Sequence, residues 1–175
     1  VPPTLPLSPT PIPRSVPIIV MCKDPVALNE SLFRFWRARR PELQVGDDIS
    51  KFVRSRFVTY DNTGGNVRPF YYYPTPTEYW NQFYFSWLNW RDVKNQVHFV
   101  KCEDVMTDAD GTVRAVGDRF DLSRRSDGPM SLPNKRVGPK SPELLEEGIL
   151  GLSDKDRDWI HTQVDPWVAR NLGYS

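Results

Sequence analysis

The hydrophobic pattern of the chain alternates between short apolar runs and longer stretches with helical spacing. Ile18–Cys22 is a continuous apolar run, which is typical of a strand buried on both faces of a parallel sheet. Residues 97–102 predict a second strand, and residues 113–120 predict a short helix that Gly117 weakens. The order of strand, tight turn and helix predicts an α/β domain built on a parallel sheet.

Residues that start and stop helices mark the three clearest helices. The first two place Pro25 and Pro76 at the first helical position, each after a residue that can cap a helix. The third begins after Ser153, and Gly173 is placed to end it. Pro166 falls inside this last pattern and predicts a kink or a split.

The second of these helices has two further signals. Thr75 and Glu78 have the spacing of a capping box, in which each side chain binds the backbone N–H of the other residue. Four aromatic residues fall on one helical stripe, which we expect to pack in the core rather than to form a substrate platform. They are Trp80, Phe83, Tyr84 and Trp87.

Other stretches are less regular. Residues 1–17 hold seven prolines and predict an extended arm over a surface, because proline has no N–H to pair in a sheet. Residues 123–149 predict a long surface loop. Within residues 37–74 only a strand or helix near 52–60 and a turn at Gly64-Gly65 are indicated. The four aromatics at 70–73 cannot all face inward, so they line a substrate mouth or a partner surface.

Composition favours one globular domain over residues 18–175. The chain of 175 residues is 39% hydrophobic and 13% aromatic, enough to bury a core. Its 23 basic and 22 acidic residues nearly balance. The chain therefore has no overall electrostatic field that would attract nucleic acid or an anionic membrane. No apolar run has the length of a membrane span. The chain opens at Val1 rather than at methionine, so we expect a processed or truncated product with sequence missing upstream.

Two cysteines and an acidic segment carry no strong sign of metal chemistry. Cys22 and Cys102 each lie in a predicted strand, which indicates neither a disulfide framework nor a metal site. Residues 108–111 resemble the opening of a calcium loop but lack its later ligands, so we interpret them as a turn. Glu103 and Asp104 are expected to cap turns or to pair with arginines, although a catalytic role is an alternative.

The strongest chemical signal is a lysine followed by a helix. Lys23 lies at the carboxyl end of a predicted buried strand, where open α/β sheets place their ligands. Ser31 lies on the second turn of the next helix, whose N-terminus adds free N–H groups and the positive end of the helix dipole. A cation, a hydroxyl and a helix start predict a phosphate site. The alternative is a solvated lysine beside a helix-surface serine.

The segment IIVMCKDPVALNESLFRFW resembles the strand, turn and helix that bind the 3′-phosphate in sulfotransferases. These enzymes use the donor 3′-phosphoadenosine 5′-phosphosulfate (PAPS), and their pattern is a basic residue, a polar residue, proline, and a serine eight positions after the basic residue. Lys23 and Ser31 keep this spacing, with lysine in place of the commoner arginine. Downstream, PTPTEYWNQFYFSWLNW and NQVHFVKCEDVMTD are similar to a family helix, strand and tyrosine-glutamate-aspartate segment, in which Cys102 replaces the tyrosine.

The resemblance implies part of a P-loop NTPase-like three-layer α/β sandwich that transfers a sulfuryl group from PAPS to a hydroxyl or amine. The acceptor would be a small molecule or a glycan, and no metal is implied. Lys23 and Ser31 would bind the donor. Lys135 and Arg136 lie where the family has a loop that closes over the donor phosphate.

The family's loop for the 5′-phosphosulfate, rich in glycine, serine and threonine, precedes the segment that begins here, as does its catalytic base. Neither His98, in a strand, nor His161, in the last helix, is placed to replace that base. The catalytic residues are therefore unassigned. We expect this chain alone to be inactive unless a missing N-terminal segment or a partner chain completes the site.

Two other functions are compatible with the sequence. The chain can be a non-catalytic structural subunit derived from a sulfotransferase, with the proline arm and residues 70–73 as contact surfaces. Another nucleotide-binding enzyme of the same fold, such as a kinase, is a weaker alternative, because no complete phosphate loop is present.

Overall fold

The computed structural model describes residues 16–39, 46, 48–61, 68–90, 96–123 and 151–174. This part of the chain is mixed α/β. Its four strands are β1 (Ile18–Cys22), β2 (Phe57–Asp61), β3 (Arg68–Tyr73) and β4 (Val97–Lys101). Its seven helices are α1 (Pro25–Arg39), α2 (Ile49–Val53), α3 (Pro76–Leu88), α4 (Cys102–Thr107), α5 (Ala109–Phe120), α6 (Asp154–Gln163) and α7 (Pro166–Leu172).

The described elements fall into two compact units. The strand unit contains β1, β4, α4 and α5. The helical unit contains α1, α2, the strands β2 and β3, α3, α6 and α7. The chain passes from the strand unit to the helical unit between Asp24 and Pro25.

The strand unit contains the predicted parallel pair. β1 runs parallel to β4, with Ile18 opposite Val97 and Cys22 opposite Lys101. Both predicted strands are confirmed, although the second ends one residue early because Cys102 begins α4. The prediction that the first strand is buried on both faces is wrong, because Ile19 and Met21 are 49% and 45% exposed. The predicted short helix is also confirmed, and Gly117 lies inside α5. The sheet that the structure describes here has two strands.

The helical unit buries an apolar core between α1, α2, α6 and the β2–β3 hairpin. Phe33, Val53 and Ile160 are fully buried at its centre. Burying side chains of this size stabilises a fold by about 1.5–3 kcal/mol each. The Phe33 and Phe52 rings lie 5.3 Å apart between centroids, which joins α1 to α2. The stretch near residues 52–60, predicted only as a strand or a helix, holds the end of α2 and most of β2.

Tyrosine rings from β3 and α3 extend this core. Phe57 lies 6.4 Å from Tyr73 and 5.2 Å from Tyr79, between ring centroids. Burial, followed by the charges of Tyr79 and Tyr71, raises the pKa of Tyr73 to about 12. The next residue along β3, Tyr72, is 59% exposed, whereas Tyr73 is buried. The expectation that the aromatics at 70–73 cannot all face inward is therefore confirmed within β3.

Helix α3 begins as predicted but without a complete capping box. Thr75 Oγ1 accepts a hydrogen bond from the Glu78 backbone N–H at 3.1 Å. The carboxylate of Glu78 accepts instead from Asn81 at 3.2 Å and from Gln82 at 2.6 Å. The aromatic stripe packs as expected, and Trp80 is completely buried.

The last predicted helix is split in two, as Pro166 indicated. Ser153 caps α6 in a complete capping box with Asp156. Asp165 caps α7, which has Pro166 in its first turn. Gly173 ends α7 in the left-handed conformation at φ 75°, which glycine adopts without steric cost.

Several predictions lie outside the described residues. They are the extended arm up to residue 15, the turn at residues 64–65, and the loop of residues 123–149 beyond residue 123. Among the helices that the structure describes, none is both long and apolar enough to cross a membrane.

Candidate functional site

Lys23 lies in the turn that leaves the parallel pair. β1 ends at Cys22, and only Lys23 and Asp24 separate it from α1. The backbone N–H of Asp24 donates to Oε1 of Glu103 at 3.0 Å. Glu103 lies in the first turn of α4, where a negative charge is favoured by the helix dipole. Glu103 thus holds the turn beside the carboxyl end of β4, which fits the expectation that it caps a turn.

Cys102 lies directly after β4, beside Glu103. Burial raises the pKa of its thiol, the charge of Glu103 raises it further, and the charge of Lys23 lowers it. The thiol therefore stays protonated at neutral pH and is a poor nucleophile. The bond from the Asp24 N–H to Glu103 places Lys23 and Asp24 beside Cys102 and Glu103 within the strand unit.

Ser31 lies on the second turn of α1 and is partly buried. It belongs to the helical unit, whereas Lys23 belongs to the strand unit. That the two residues hold one phosphate stays a prediction. The first turn of α1 contains no acidic side chain, but the Glu103 carboxylate accepts from the Asp24 N–H directly before that turn.

Asn29 fixes α1 against α3. Its Nδ2 donates to the Pro25 carbonyl oxygen at 2.8 Å and to Thr77 Oγ1 at 3.2 Å. Asn29 and Thr77 are both fully buried. Asn29-Glu30-Ser31 has the sequence of a glycosylation acceptor, but the buried Asn29 is inaccessible in the folded helical unit.

The structure describes both histidines but not the two residues of the predicted donor lid. Lys135 and Arg136 lie outside the described residues, so their role as a donor lid stays a prediction. His98 is partly buried on β4, and burial, followed by the charge of Arg119, lowers its pKa. His161 is exposed on α6.

A cavity of about 460 Å³ in the strand unit was not predicted from the sequence. It is lined by three consecutive elements, β4, α4 and α5. The lining residues are His98, Phe99, Val100, Asp104, Thr107, Asp108, Gly111, Thr112 and Ala115. Its signal in the sequence is the segment 108–111, for which the sequence predicts a turn. Asp108 instead caps α5, and its side chain accepts from the Gly111 N–H at 2.8 Å.

Comparison of the chain with models of known protein families, with curated proteins and with solved structures finds no significant match. In the described part of the chain, no group of three or more His, Cys, Asp or Glu side chains is placed to hold a metal ion. A functional assignment therefore depends on the residues themselves.

Proposed function

We propose that this chain is a sulfotransferase-type domain that anchors the 3′-phosphate of PAPS. In this proposal the strands β1 and β4 belong to a P-loop NTPase-like sandwich. A further segment or a partner chain supplies the phosphosulfate loop and the base. With them the assembly transfers a sulfuryl group to the hydroxyl or amine of a small molecule or glycan.

The observation that carries the proposal is the bond from the Asp24 N–H to Glu103, at 3.0 Å. The lysine-aspartate-proline and cysteine-glutamate-aspartate segments each resemble the family, and Asp24 and Glu103 are 79 residues apart in the chain. They meet at the carboxyl end of a parallel strand pair, which is where α/β sheets bind their ligands. The parallel register of β1 and β4, with Cys22 opposite Lys101, brings the two segments together, and the proposal requires this arrangement.

The chemistry of the segment suits a phosphate. Lys23 supplies a positive charge directly after β1, and α1 begins two residues later with no acidic side chain in its first turn. Ser31 supplies a hydroxyl one turn further on. A lysine binds phosphate as a point charge rather than as the bidentate fork of an arginine. These groups hold the donor by the end that does not react, while Lys135 and Arg136 close over it.

The test compares two nucleotides by calorimetry on the complete protein. Adenosine 3′,5′-bisphosphate carries the 3′-phosphate, and adenosine 5′-monophosphate lacks it. Lys23→Ala should weaken binding of the bisphosphate by about tenfold or more, the value of a charge-assisted hydrogen bond, and leave the monophosphate unchanged. Lys155→Ala, at an exposed lysine on α6, is the matched control.

Three more variants test whether Lys23 and Ser31 hold the same group. Ser31→Ala should weaken the bisphosphate, and Ser31→Thr should retain it. The double variant should lose less than the sum of the single losses, because both residues act on one phosphate. Unchanged affinity for the bisphosphate in both single alanine variants would contradict the proposal.

A second candidate is a non-catalytic subunit of a larger assembly, with contact surfaces that include the proline arm and residues 70–73. It is supported by Ile19 and Met21, which are 49% and 45% exposed on one face of β1. Parallel strands are usually covered on both faces. For this candidate, Ile19→Thr combined with Met21→Thr should release a co-purifying partner, and nucleotides should have no effect on the complex.

A further inference from the structure

Two aromatic rings of the helical unit contact each other at its surface. Phe85 on α3 and Trp167 on α7 are each 43% exposed, and their ring centroids lie 5.7 Å apart at an interplanar angle of 60°. Exposed apolar side chains that are scattered singly need no explanation, whereas adjoining ones mark a candidate interaction surface. Neither residue belongs to the proposed phosphate anchor, so we call Phe85 and Trp167 the aromatic pair.

The backbone that carries the Trp167 ring is held in place by hydrogen bonds. Oδ1 of Asn81, on α3, accepts from the Asp165 N–H at 2.8 Å. Asp165 Oδ1 in turn accepts from the Trp167 N–H at 2.8 Å, and the next residue, Val168, is fully buried. The start of α7 is therefore fixed against the helix that carries the other ring. A surface that is positioned in advance has a lower entropic cost of binding.

The Trp167 side chain also offers a hydrogen-bond donor. Within the part of the chain that the structure describes, its indole Nε1 has no hydrogen-bond partner, since the bonds of this residue are made by its backbone. An indole N–H can donate but cannot accept. The aromatic pair thus complements a ligand that combines apolar rings with unpaired acceptors. A proline-rich peptide has this chemistry, because each proline has a ring and a carbonyl oxygen but no N–H.

The N-terminal segment of this chain has the spacing that such a surface requires. Residues 1–15 lie outside the described residues, and proline recurs at every third position in Pro3, Pro6 and Pro9. A polyproline II (PPII) helix has three residues per turn, so these three rings would share one face of it. At about 3.1 Å per residue the segment would span roughly 45 Å before Val16, which is long enough to reach a distant surface.

We propose that the aromatic pair binds the proline-rich segment of residues 1–15 in the PPII conformation. Proline rings of the shared face pack on Phe85 and Trp167, and the Trp167 indole N–H donates to a carbonyl oxygen of the segment. Proline-rich segments bind aromatic-lined surfaces in this way because a PPII helix loses little conformational entropy on binding. This inference does not rest on the proposed sulfotransferase function.

The test follows the indole N–H signal of Trp167 by NMR in the full-length protein. Its loss in Trp167→Phe identifies the signal. Replacing Pro3, Pro6 and Pro9 together by alanine gives the on-face variant. In this variant the signal should shift, and its exchange with water should become roughly fivefold faster, as expected for the loss of one hydrogen bond. An unchanged signal in the on-face variant would overturn the inference.

A matched variant separates the shared face from proline content. Replacing Pro2, Pro11 and Pro13 together by alanine removes the same number of prolines, but at positions that lie on the other faces of a PPII helix. This off-face variant should keep the wild-type indole signal. An equal change in the on-face and off-face variants would mean that no particular face is bound, and would overturn the inference.

A synthetic peptide tests whether the segment binds directly. The peptide of residues 1–15, added to the on-face variant, should return the Trp167 signal saturably to its wild-type position. We expect this at up to about 5 mM, because so small an interface binds weakly. The peptide with the three on-face alanines should have no effect. Failure of the wild-type peptide would overturn the inference. So would an indole signal that depends on protein concentration in the on-face variant, because the aromatic pair would then contact the folded part of a second copy.

The second ring is tested with the same peptide. Phe85→Ala, combined with the on-face variant, should lower the affinity for the peptide by about fivefold, the value of one aromatic contact. Phe35→Ala is the control, because it removes a ring that is 45% exposed on α1 of the same unit. It should leave the affinity unchanged. Equal affinities in these two variants would show that Phe85 does not bind the segment, and would overturn the inference.

Discussion

Arg54 and Asp156 form an ion pair between the end of α2 and the first turn of α6, 102 residues apart in the chain. Asp156 is almost completely buried, and its Oδ2 also accepts from Ser50 Oγ and Ser153 Oγ, each at 2.6 Å. The Arg54 guanidinium lies 5.0 Å from the centroid of the Trp159 ring. One carboxylate thus caps its own helix and fixes a second helix against it.

Replacing this carboxylate should destabilise the protein. Burial alone would raise the pKa of Asp156, but hydrogen bonds from Ser153, Ser50 and Arg54 hold it below its ordinary value. Asp156→Asn should therefore lower the free energy of unfolding at pH 7 by roughly 1–3 kcal/mol, the cost of leaving buried partners unsatisfied. Urea unfolding measures the loss.

The Arg54–Asp156 pair should also make the free energy of unfolding depend on pH. A carboxylate whose pKa is lowered in the folded state contributes stability above its unfolded pKa, and this is lost as the pH falls through the folded pKa. The difference between the wild type and Asp156→Asn should thus narrow below about pH 4, the usual range of an aspartate. Asp158→Asn, at an exposed position on α6, is the control. A loss as large in that variant would argue against the pair.

Asp121 ends α5 in a conformation that favours glycine. Its φ is 52° and its ψ 46°, and its backbone N–H donates to the Gly117 carbonyl oxygen. Asp121→Gly should raise the free energy of unfolding by roughly 0.5–1 kcal/mol, because glycine adopts this conformation without a Cβ clash. Asp118→Gly, inside the helix, should lower it by about 1 kcal/mol. Thermal unfolding of both variants decides the point, and a destabilised Asp121→Gly protein would contradict it.

The sequence predicted the elements whose signals are local. Ile18–Cys22 was predicted with correct bounds because its apolar run is continuous, and Pro166 split the last helix because proline cannot continue it. The hairpin of β2 and β3 was missed because its strands lack a clean alternation and its register shifts between Thr59 and Tyr60. A bulge of this kind breaks the two-residue period on which strand prediction depends.

The candidate sites depended on contacts between distant segments. Glu103 could be named as a turn cap, but the sequence gives no reason to choose the Asp24 N–H as its partner. The cavity was missed for a different reason. Its polar residues lie close in sequence, at 98–112, but only the fold of α4 and α5 shows which hydroxyls are already donating. Hydrogen-bond accounting of this kind needs coordinates.

Tyr73 should titrate late and make the fold sensitive to alkali. Burial, with the charges of Tyr79 and Tyr71, raises its pKa to about 12, so its contribution is present below the unfolded pKa near 10 and is lost as the pH rises through the folded value. Burial also raises the pKa of Tyr79, so ultraviolet titration should show late phenolate absorbance whose amplitude falls in Tyr73→Phe. Tyr72→Phe, which removes an exposed hydroxyl, should leave that amplitude unchanged. An unchanged late amplitude in Tyr73→Phe would contradict the assignment.

Asn81 should hold the break between α6 and α7 against α3. It is 7% exposed, its Nδ2 donates to the Gln163 carbonyl oxygen at 2.8 Å, and its Oδ1 accepts from the Asp165 N–H at 2.8 Å. Asn81→Ala leaves two backbone groups unsatisfied at the point where Pro166 interrupts the helix. We expect a loss of roughly 2–4 kcal/mol in the free energy of unfolding, from the penalties for two unsatisfied groups.

The matched control is Asn171→Ala. This exposed residue makes one side-chain bond, from Nδ2 to the Trp167 carbonyl oxygen at 2.8 Å, and its removal should cost less than about 1 kcal/mol, because water replaces the lost partner. Hydrogen exchange should also distinguish the two variants. Asn81→Ala exposes the Asp165 amide and speeds its exchange, whereas Asn171→Ala leaves it protected. Equal destabilisation by the two substitutions would mean that the helix break is held by apolar packing rather than by Asn81.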